Sequence, residues 1–538
     1  MKILMMTNTY TPIVGGLEKS IQVFSEEFRA LGHEVKIMAP EFEGMPLNEK
    51  DVIRVPALEK FVGTPFSVAL PIPEPILNLI EQYNPDIVHS HHPFLMGDLA
   101  LRFCGQKKIP LVFTYHTMFE HYREHFGMDS PAVRRFVIDL AIGYANMVDQ
   151  VIAPSESVAR VLLERKVTTP IEIVPTGIDR RRFCPEPSDF RKKHKIPSSA
   201  FVLGHVGRLS PEKNLIFLTE AVAEFLKQKK DAWFLIVGSG PSEREMRKIF
   251  RTRKVQKRVC FAGILRGKPL VNAYHGMDVF TFASKSETQG IVVAEAMAAG
   301  LPVVALDAPG VREVVVDREN GRLLKEESRK KFVAAFLWCS SRGPAKWEKI
   351  KKKARETANG FSARACAGKA LEIYKKVVRR RDTYAEEELN QWQSLLGRFK
   401  TEIDMAVNLS RAAGAALMKA AVSESSASDR ITQFYKKKIE HARKSWMQQL
   451  IKIRKQVKGA PEEVRARVDS VSEIVTQKVR ACETELAELN RKVFSACDSL
   501  EDFLLEADGI IKSELKKTGD SSVQSVQGGA HEKEHSVV

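Results

Sequence analysis

The stretch Lys2-Ile-Leu-Met-Met-Thr7 is a short apolar run, and it is followed by the glycine pair Gly15-Gly16. Beyond the glycines, apolar residues recur at helical spacing as far as Gly32, which is typical of a helix that ends at a glycine. A second apolar run, Glu34-Val-Lys-Ile-Met-Ala39, comes directly afterwards. Strand, glycine loop, helix and strand in this order form a βαβ unit, which predicts a parallel sheet.

The same alternation of strands and helices continues along the chain. In the first half, further strands are predicted at residues 86–90, 111–115, 150–153 and 172–174. In the second half, helical patterns separate strands predicted at residues 201–206, 233–237, 259–261, 279–281 and 302–305. We therefore predict an α/β fold with two doubly wound, Rossmann-like domains, residues 1–180 and 181–381.

The pattern changes at about residue 382, where strand-like runs and prolines nearly vanish. A 3-4 apolar spacing, typical of a heptad seam, is kept by Cys482, Leu486, Leu489, Val493, Ala496, Leu500 and Phe503. We predict a helical bundle or coiled coil over residues 382–518, which could serve self-association or docking to a partner or membrane. Residues 519–538 have the composition of a disordered tail.

Composition limits the cell compartment and the partners. The chain has 538 residues and a net charge of +17, so acidic partners such as nucleic acid, anionic lipid or phosphate-bearing substrates are plausible. Its seven cysteines form no Cys-x-x-Cys pair, which fits a reducing compartment without a zinc or redox motif. With no signal peptide and no membrane span in the sequence, we expect a cytoplasmic protein, either soluble or peripheral on the inner face of the membrane.

Two acidic and two basic residues suggest a binding site in the second half. Glu287 and Glu295 lie eight residues apart, and Arg208 and Lys213 lie upstream in Gly207-Arg-Leu-Ser-Pro-Glu-Lys. Carboxylates accept hydrogen bonds from hydroxyls, whereas Arg and Lys can hold a diphosphate. Gly290 precedes a helical pattern over residues 291–299, and a helix N-terminus favours anions. These groups together suit a nucleotide-sugar, although an isolated Glu pair is more often two solvated helix positions.

The chain resembles the retaining, two-domain glycosyltransferases of the GT-B fold, family 4, over roughly residues 1–380. Four motifs carry the resemblance: the pair Glu287 and Glu295, Gly207-Arg208 with Lys213, Gly15-Gly16-Leu-Glu18, and Val174-Pro-Thr-Gly-Ile-Asp179. Four motifs in the family's order are far more specific than any one of them. The helical region from residue 382 has no match in that family.

The resemblance implies transfer of a sugar from a nucleotide donor with retention of the anomeric configuration and no obligatory carboxylate nucleophile. It implies that Arg208 and Lys213 neutralise the diphosphate, Glu295 binds the ribose, and Glu287 and His116 contact the donor sugar. The implied catalytic residues are His116, Glu287, Arg208 and Lys213. The implied donor-binding residues are Gly15, Gly16, Gly207, Arg208, Lys213, Gly238, Glu287, Thr288, Gln289, Gly290 and Glu295. Phe119 and Tyr122 are the implied acceptor contacts.

No cofactor or metal is expected beyond the nucleotide-sugar co-substrate. The chain contains no Asp-x-Asp motif, which single-domain glycosyltransferases usually use to hold a divalent metal. Its absence favours a metal-independent enzyme in which Arg and Lys replace the cation. His89, His91 and His92 could form a metal cluster, but histidines at a strand end in this family more often line the cleft.

Two segments narrow the resemblance to the diacylglycerol glucosyltransferases: residues 114–122 and Thr288-Gln-Gly290. They imply UDP-glucose or another UDP-hexose as donor and a lipid acceptor. The Gly15-Gly16 motif is closer to the general family and leaves open a mannosyl- or glucosyltransferase for a soluble sugar or a phosphoinositol. A nucleotide-sugar epimerase is disfavoured by the Glu pair. A scaffold or basic binding protein that uses the helical appendix is the non-enzyme alternative, and no nucleic acid is expected.

A lipid acceptor requires contact with a membrane, and several stretches could provide it. Residues 244–258, 346–381 and 434–458 are dense in Arg and Lys, and residues 61–73 are apolar. Each Lys or Arg near an anionic surface contributes roughly 1 kcal/mol. The alternatives are a solvated basic surface, a core loop at residues 61–73 and a bundle face at residues 434–458.

Overall fold

The computed structural model describes residues 1–385, apart from residues 14, 47–48, 59–67, 70–73, 119–130, 184–187 and 286. The chain divides into two units, residues 1–130 with 137–408, and residues 131–136 with 409–538. Of the second unit, the described residues are 131–136, which form the start of a helix. The heptad seam, the basic stretch 434–458 and the tail 519–538 lie outside the described residues.

The first unit begins with a parallel sheet. Its strands are β1 (Lys2–Met6), β2 (Glu34–Pro40), β3 (Val52–Val55), β6 (Ile87–Ser90), β7 (Leu111–Thr114), β8 (Gln150–Ala153) and β9 (Ile171–Ile173). A separate antiparallel pair is formed by β4 (Ala57–Leu58) and β5 (Val68–Ala69). The connecting helices are α1 (Gly16–Ala30), α2 (Glu74–Tyr83), α3 (Met96–Lys107), α4 (Pro131–Ala145) and α5 (Glu156–Glu164). The spatial order is β3-β2-β1-β6-β7-β8-β9, with every neighbouring pair parallel.

A second parallel sheet follows. Its strands are β10 (Phe201–Val206), β11 (Ala232–Val237), β12 (Val259–Phe261), β13 (Val279–Phe282), β14 (Val303–Leu306) and β15 (Gly321–Leu324). They lie in the order β12-β11-β10-β13-β14-β15. The helices are α6 (Phe190–Lys193), α7 (Leu215–Gln228), α8 (Glu243–Thr252), α9 (Gly267–His275), α10 (Ile291–Ala298), α11 (Arg329–Ser340), α12 (Pro344–Asn359) and α13 (Ala363–Ala385).

Strand β1 shows why these sequences form central parallel strands. Ile3 and Met5 pack with α1 on one face of the first sheet, while Leu4 and Met6 pack against α3 and α4 on the other. All four side chains are at most 1% exposed. A strand covered by helices on both faces needs a continuous apolar run, which is what residues 3–6 supply. The predicted α/β fold with two doubly wound sheets is confirmed.

Helix α13 crosses back to the first sheet. Tyr374 is fully buried there, with its ring centroid 5.5 Å from that of Phe28 in α1. Ala370 and Val377 join the same apolar cluster as Ile3. The predicted boundary placed this helix in the second domain, but its apolar face completes the core of the first.

Both sheets reverse their strand order at one point, between β1 and β6 in the first and between β10 and β13 in the second. At such a point the loops leave neighbouring strands in opposite directions and open a crevice at the carboxyl edge. Gly15 and His91 follow the two strands of the first crevice, and Gly207 and Glu287 follow those of the second. Topology therefore places the predicted motifs at the two expected binding positions.

Candidate active site

The loops after β10 and β11 pack directly on one another. Gly207 donates its N–H to the carbonyl oxygen of Val237 at 3.0 Å. Gly238 has φ 131°, and a Cβ on it would overlap the carbonyl oxygen of Gly207. A side chain at Gly238 would therefore push the Arg208 loop away from its position. The structure thus gives Gly238 a packing role that the sequence motif did not indicate.

Lys213 and Glu287 meet across the second crevice. The Lys213 Nζ donates to Glu287 Oε1 at 2.6 Å, and the two side chains are 22% and 14% exposed. A charge-assisted bond in a partly buried position is stronger than one on the surface. One residue predicted to hold phosphate and one predicted to hold sugar hydroxyls thus face the same small space.

Arg208 also lies beside a carboxylate, that of Glu212. Its Nη2 is 3.1 Å from Glu212 Oε1, and the Arg208 side chain is half-exposed. Burial raises the pKa of Glu212, but the Ser210 hydroxyl and the cations Arg208 and Lys213 outweigh it, so the pKa lies below its usual value. Glu212 therefore stays ionised and positions Arg208. Sequence reasoning did not single out Glu212, although it lies inside the motif.

The carboxyl group of Glu295 is held by a tyrosine. The Tyr274 hydroxyl, on α9, donates to Glu295 Oε2 at 2.9 Å, and both residues are buried. Burial raises the pKa of Glu295, while the Tyr274 hydrogen bond and the charge of Lys19 in α1 oppose that rise. The bond to Oε2 fixes the carboxyl group and leaves Oε1 for another partner. No spacing rule in the sequence points to Tyr274.

Gln289 contacts the chain segment that joins the two sheets. Its amide oxygen accepts from the backbone N–H of Thr176 at 2.6 Å, and its amide nitrogen donates to the Thr176 carbonyl at 2.7 Å. The Thr176 hydroxyl in turn donates to the Ser20 hydroxyl of α1 at 2.8 Å. Gln289 was predicted as a donor-binding residue, and the structure engages both ends of its side-chain amide with Thr176.

The glycine loop lies opposite the start of α10. A Cβ on Gly16 would be 3.8 Å from Ile291, and a Cβ on Gly15 would be 2.5 Å from a carboxylate oxygen of Glu18. Gly290, with φ 71°, is the N-cap residue of α10. The structure therefore brings two helix N-termini, each preceded by glycine, to the same region, and exposed helix N–H groups favour an anion.

Four histidines occupy the carboxyl edge of the first sheet. His91 Nδ1 lies 2.9 Å from His116 Nε2, and their rings are stacked with centroids 5.2 Å apart. His89 Nε2 bonds to Thr114 at 2.7 Å and its Nδ1 to the Tyr374 hydroxyl at 2.5 Å. Burial lowers the pKa of His89 to about 3, and burial also lowers the pKa values of His91 and His116. All three rings are therefore neutral at physiological pH.

The histidines at this edge have the chemistry of metal ligands, but several of their ring nitrogens are engaged by the protein. His92 Nδ1 accepts from the Asn8 N–H at 3.1 Å, and burial lowers the pKa of His92 to about 4. Both ring nitrogens of His89 already have protein partners. Across residues 1–385, less the segments left undescribed, no three His, Cys, Asp or Glu side chains are grouped so that they could hold a metal ion.

The remaining predicted residues divide into two groups. Thr288 is partly exposed and directly follows Glu287 in the loop between β13 and α10. Phe119 and Tyr122, the predicted acceptor contacts, lie outside the described residues.

Among the helices that the structure describes, none is both long enough and apolar enough to cross a bilayer.

Comparison with known proteins agrees with this arrangement. The family "Glycosyltransferase Family 4" matches residues 14–182, and "Glycosyl transferases group 1" matches residues 187–357. The alpha-monoglucosyldiacylglycerol synthase of Streptococcus pneumoniae is 30% identical over 330 residues, which are 60% of this chain and 75% of that protein. A GDP-mannose-dependent alpha-mannosyltransferase of Mycolicibacterium smegmatis is 29% identical over 330 residues, 60% of this chain and 84% of the relative.

Solved structures share the fold. The sucrose-phosphate synthase of Thermosynechococcus elongatus superposes with a TM-score of 0.59 at 21% identity, covering 71% of this chain and 100% of that one. The two crevices, the acidic and basic residues at the second of them, and the matches across both halves lead to one assignment. The chain belongs to the family 4 glycosyltransferases and has their GT-B fold.

Proposed function

We propose that the protein is a retaining glycosyltransferase that moves a hexose, glucose in the first instance, from a UDP-sugar to a lipid such as diacylglycerol. The observation that carries the transferase chemistry is the Lys213–Glu287 pair at the second crevice, with Arg208 in the same loop as Lys213 and Glu295 on α10, the helix that follows Glu287. The lipid acceptor is supported by the similarity to a glucosyldiacylglycerol synthase.

Donor binding would exchange the Lys213–Glu287 bond for two contacts with the ligand. The negatively charged diphosphate would become the partner of Lys213, and a sugar hydroxyl would donate to Glu287. Oε1 of Glu295 accepts from the ribose, while Tyr274 keeps Oε2. As the bond to the leaving phosphate breaks, Arg208 and Lys213 stabilise the growing negative charge, which is a large electrostatic contribution in such reactions.

Retention has a direct test in the product. The acceptor hydroxyl attacks from the face that the diphosphate leaves, so an α-linked donor gives an α-linked product. The anomeric coupling in the NMR spectrum of the purified glycolipid distinguishes α from β. A β-linked product would contradict the retaining mechanism.

The reaction is proposed to need no divalent metal, because Arg208 and Lys213 supply the positive charge that such an ion would bring to the diphosphate. Turnover should be unchanged after the enzyme is treated with EDTA and assayed in EDTA. If turnover disappears in EDTA and returns with magnesium or manganese, Arg208 and Lys213 do not supply all the positive charge that the diphosphate needs.

Contact with the membrane is proposed to use the basic surface of the second domain. On α8, Arg244, Lys248 and Arg251 are exposed while Met246 and Phe250 are buried, so this helix presents cations outward. Such a surface is attracted to anionic lipid, and the attraction weakens with salt. Binding to anionic vesicles should fall as salt rises; salt-insensitive binding would indicate insertion of apolar residues instead.

The decisive assay measures nucleotide release from UDP-glucose, UDP-galactose, UDP-N-acetylglucosamine and GDP-mannose, each with and without diacylglycerol in mixed micelles. Lipid-dependent release from UDP-glucose supports the proposal. Lipid-independent release from that donor indicates slow hydrolysis and another acceptor.

The second candidate is a mannosyltransferase, which the mycobacterial relative favours. Release from GDP-mannose alone would select it, with soluble sugars and phosphoinositol then tested as acceptors. If none of the four donors is used, the chain would have to be reconsidered as a scaffold built on its helical appendix.

A further inference from the structure

His91 is buried beneath His116 at the carboxyl edge of the first sheet. It is 2% exposed, whereas His116 is partly exposed. Its Nδ1 lies 2.9 Å from His116 Nε2. Its own Nε2 is buried and finds no hydrogen-bond partner within the described part of the chain. Within the described residues, the contact to His116 is therefore the one polar contact that the His91 ring makes.

The contact allows two arrangements of protons, because a hydrogen bond needs one donor and one acceptor and each neutral ring carries one N–H. If His116 donated from Nε2, the proton of His91 would have to sit on its Nε2, as a buried N–H without a partner. If His91 donates from Nδ1, its Nε2 carries no proton, and no buried N–H is left without a partner. Buried N–H groups without a partner are rare in proteins because they cost free energy.

The second arrangement determines what His116 presents to the cleft. With its Nε2 accepting from His91, His116 must carry its own proton on Nδ1. We propose that His91 is a positioning residue that fixes His116 as the Nδ1–H tautomer, so that His116 donates a hydrogen bond to an oxygen of the donor sugar. The identity of that oxygen as one of the donor sugar rests on the proposed function. The tautomer of His116 does not depend on it.

The neighbouring groups hold the pair in place. The His89 ring centroid is 4.1 Å from that of His91, and His89 is itself bonded at both nitrogens, to Thr114 and to Tyr374 of α13. The ring of His91 thus packs on the ring of His89, which cannot turn without breaking two hydrogen bonds. A group held in this way keeps its partner within a narrow range of orientations, as catalytic geometry requires.

The first experiment reads the tautomer directly. Long-range proton–nitrogen NMR correlations on the full chain with 15N-labelled histidine separate a protonated ring nitrogen from a bare one. The signals of His116 among the 13 histidines are assigned by their loss in His116→Gln. We expect a protonated Nδ1 and a bare Nε2 on His116. A protonated Nε2 on His116 in the wild-type protein would overturn the proposal.

The second experiment separates positioning from packing. His91→Phe keeps a ring but loses the donor, and kcat should fall about tenfold to about a hundredfold with a smaller change in KM for the donor. His91→Asn places an amide nitrogen near the position of Nδ1 and should restore most of that loss. If His91→Asn is no better than His91→Phe, the hydrogen bond is not what matters and the proposal fails.

The His116→Gln variant distinguishes this failure from that of the proposed function. If it keeps wild-type kcat, the assignment of His116 to the donor sugar is wrong. The wild-type tautomer would still decide whether His91 fixes the ring of His116.

Discussion

At the scale of single residues, the site is built from carboxylates and cations that neutralise one another until a ligand arrives. Lys213 pairs with Glu287 and Arg208 with Glu212, so none of these charges is left without a counter-charge in the cleft. This arrangement limits the cost of holding like charges close together. It also means that a variant that removes one partner leaves the other partner's charge uncompensated.

Lys213→Ala should abolish sugar transfer while the fold stays intact, because the cation that stabilises the leaving diphosphate is lost. A loss of about a hundredfold or more in kcat is expected. Lys227→Ala, which removes an exposed lysine near the end of α7, is the matched control. Circular dichroism and thermal unfolding check the fold, and wild-type turnover in Lys213→Ala would contradict the phosphate role.

Tyr274→Phe should change the pH dependence of donor binding. The Tyr274 hydrogen bond lowers the pKa of Glu295 against the effect of burial, so its loss lets the pKa rise further. Glu295 must be ionised to accept hydroxyl donors, and donor affinity is therefore lost as pH falls through that pKa. KM for the donor, measured from acidic to neutral pH, should begin to rise at a higher pH in the variant. Superimposable profiles would show that Tyr274 does not act on Glu295.

At the scale of elements, the two sheets are joined by specific contacts as well as by the chain. The Gln289 amide holds the Thr176 peptide from both sides. Glu313 of the second domain accepts from the N–H groups of Glu156 and Ser157 at 2.8 and 2.7 Å, at the N-terminus of α5. Both contacts use backbone groups, so the geometry of the joint depends little on the neighbouring side chains.

Gln289→Leu should destabilise the protein by about 1–3 kcal/mol, because the buried Thr176 N–H and carbonyl lose their partners. Gln228→Leu, at an exposed position at the end of α7, makes the same chemical change without such contacts. Denaturant unfolding of the two variants provides the comparison. Equal stability of the two would show that the amide contacts are replaced by water.

Part of this architecture could be read from the sequence. The glycine loop, the Arg208–Lys213 loop and the Glu287–Glu295 segment are local patterns, and each lies where parallel-sheet topology predicts. The Gln289–Thr176 contact could not be predicted, because it joins residues 113 positions apart through a side chain that has many possible partners. Tyr274 likewise belongs to an ordinary helical pattern. Amphipathic spacing shows that α13 has an apolar face, but not which sheet that face covers.

At the scale of the whole molecule, acid should weaken the fold. Burial lowers the pKa of His89 to about 3 and that of His92 to about 4, whereas an unfolded histidine titrates near 6.5. The unfolded state therefore binds more protons below that value, and stability is lost as pH falls from about 6.5 toward 4. Each histidine contributes up to about 1.4 kcal/mol per pH unit. Thermal unfolding at a series of pH values tests this, and a midpoint independent of pH would contradict it.

Truncation tests the division of the chain. A chain that ends at Ala385 should fold and keep transferase activity, because every strand of both sheets and α13 are present. A chain that ends at Ser362 should be unstable, because it lacks Tyr374 and the other α13 residues of the first core. Folding of the shorter chain would show that α13 is dispensable; an insoluble longer chain would show that later residues are needed.

The packing of α13 on the first sheet also has a consequence for the nascent chain. The first sheet can assemble once β9 has left the ribosome, but α13 is made only after the whole second domain, roughly 200 residues later. At about 5–20 residues per second, the surface around Ile3 and Val35 stays partly bare for about 10–40 seconds. Throughout that interval the nascent protein exposes an apolar face on its first sheet, the kind of aggregation-prone surface that chaperones shield.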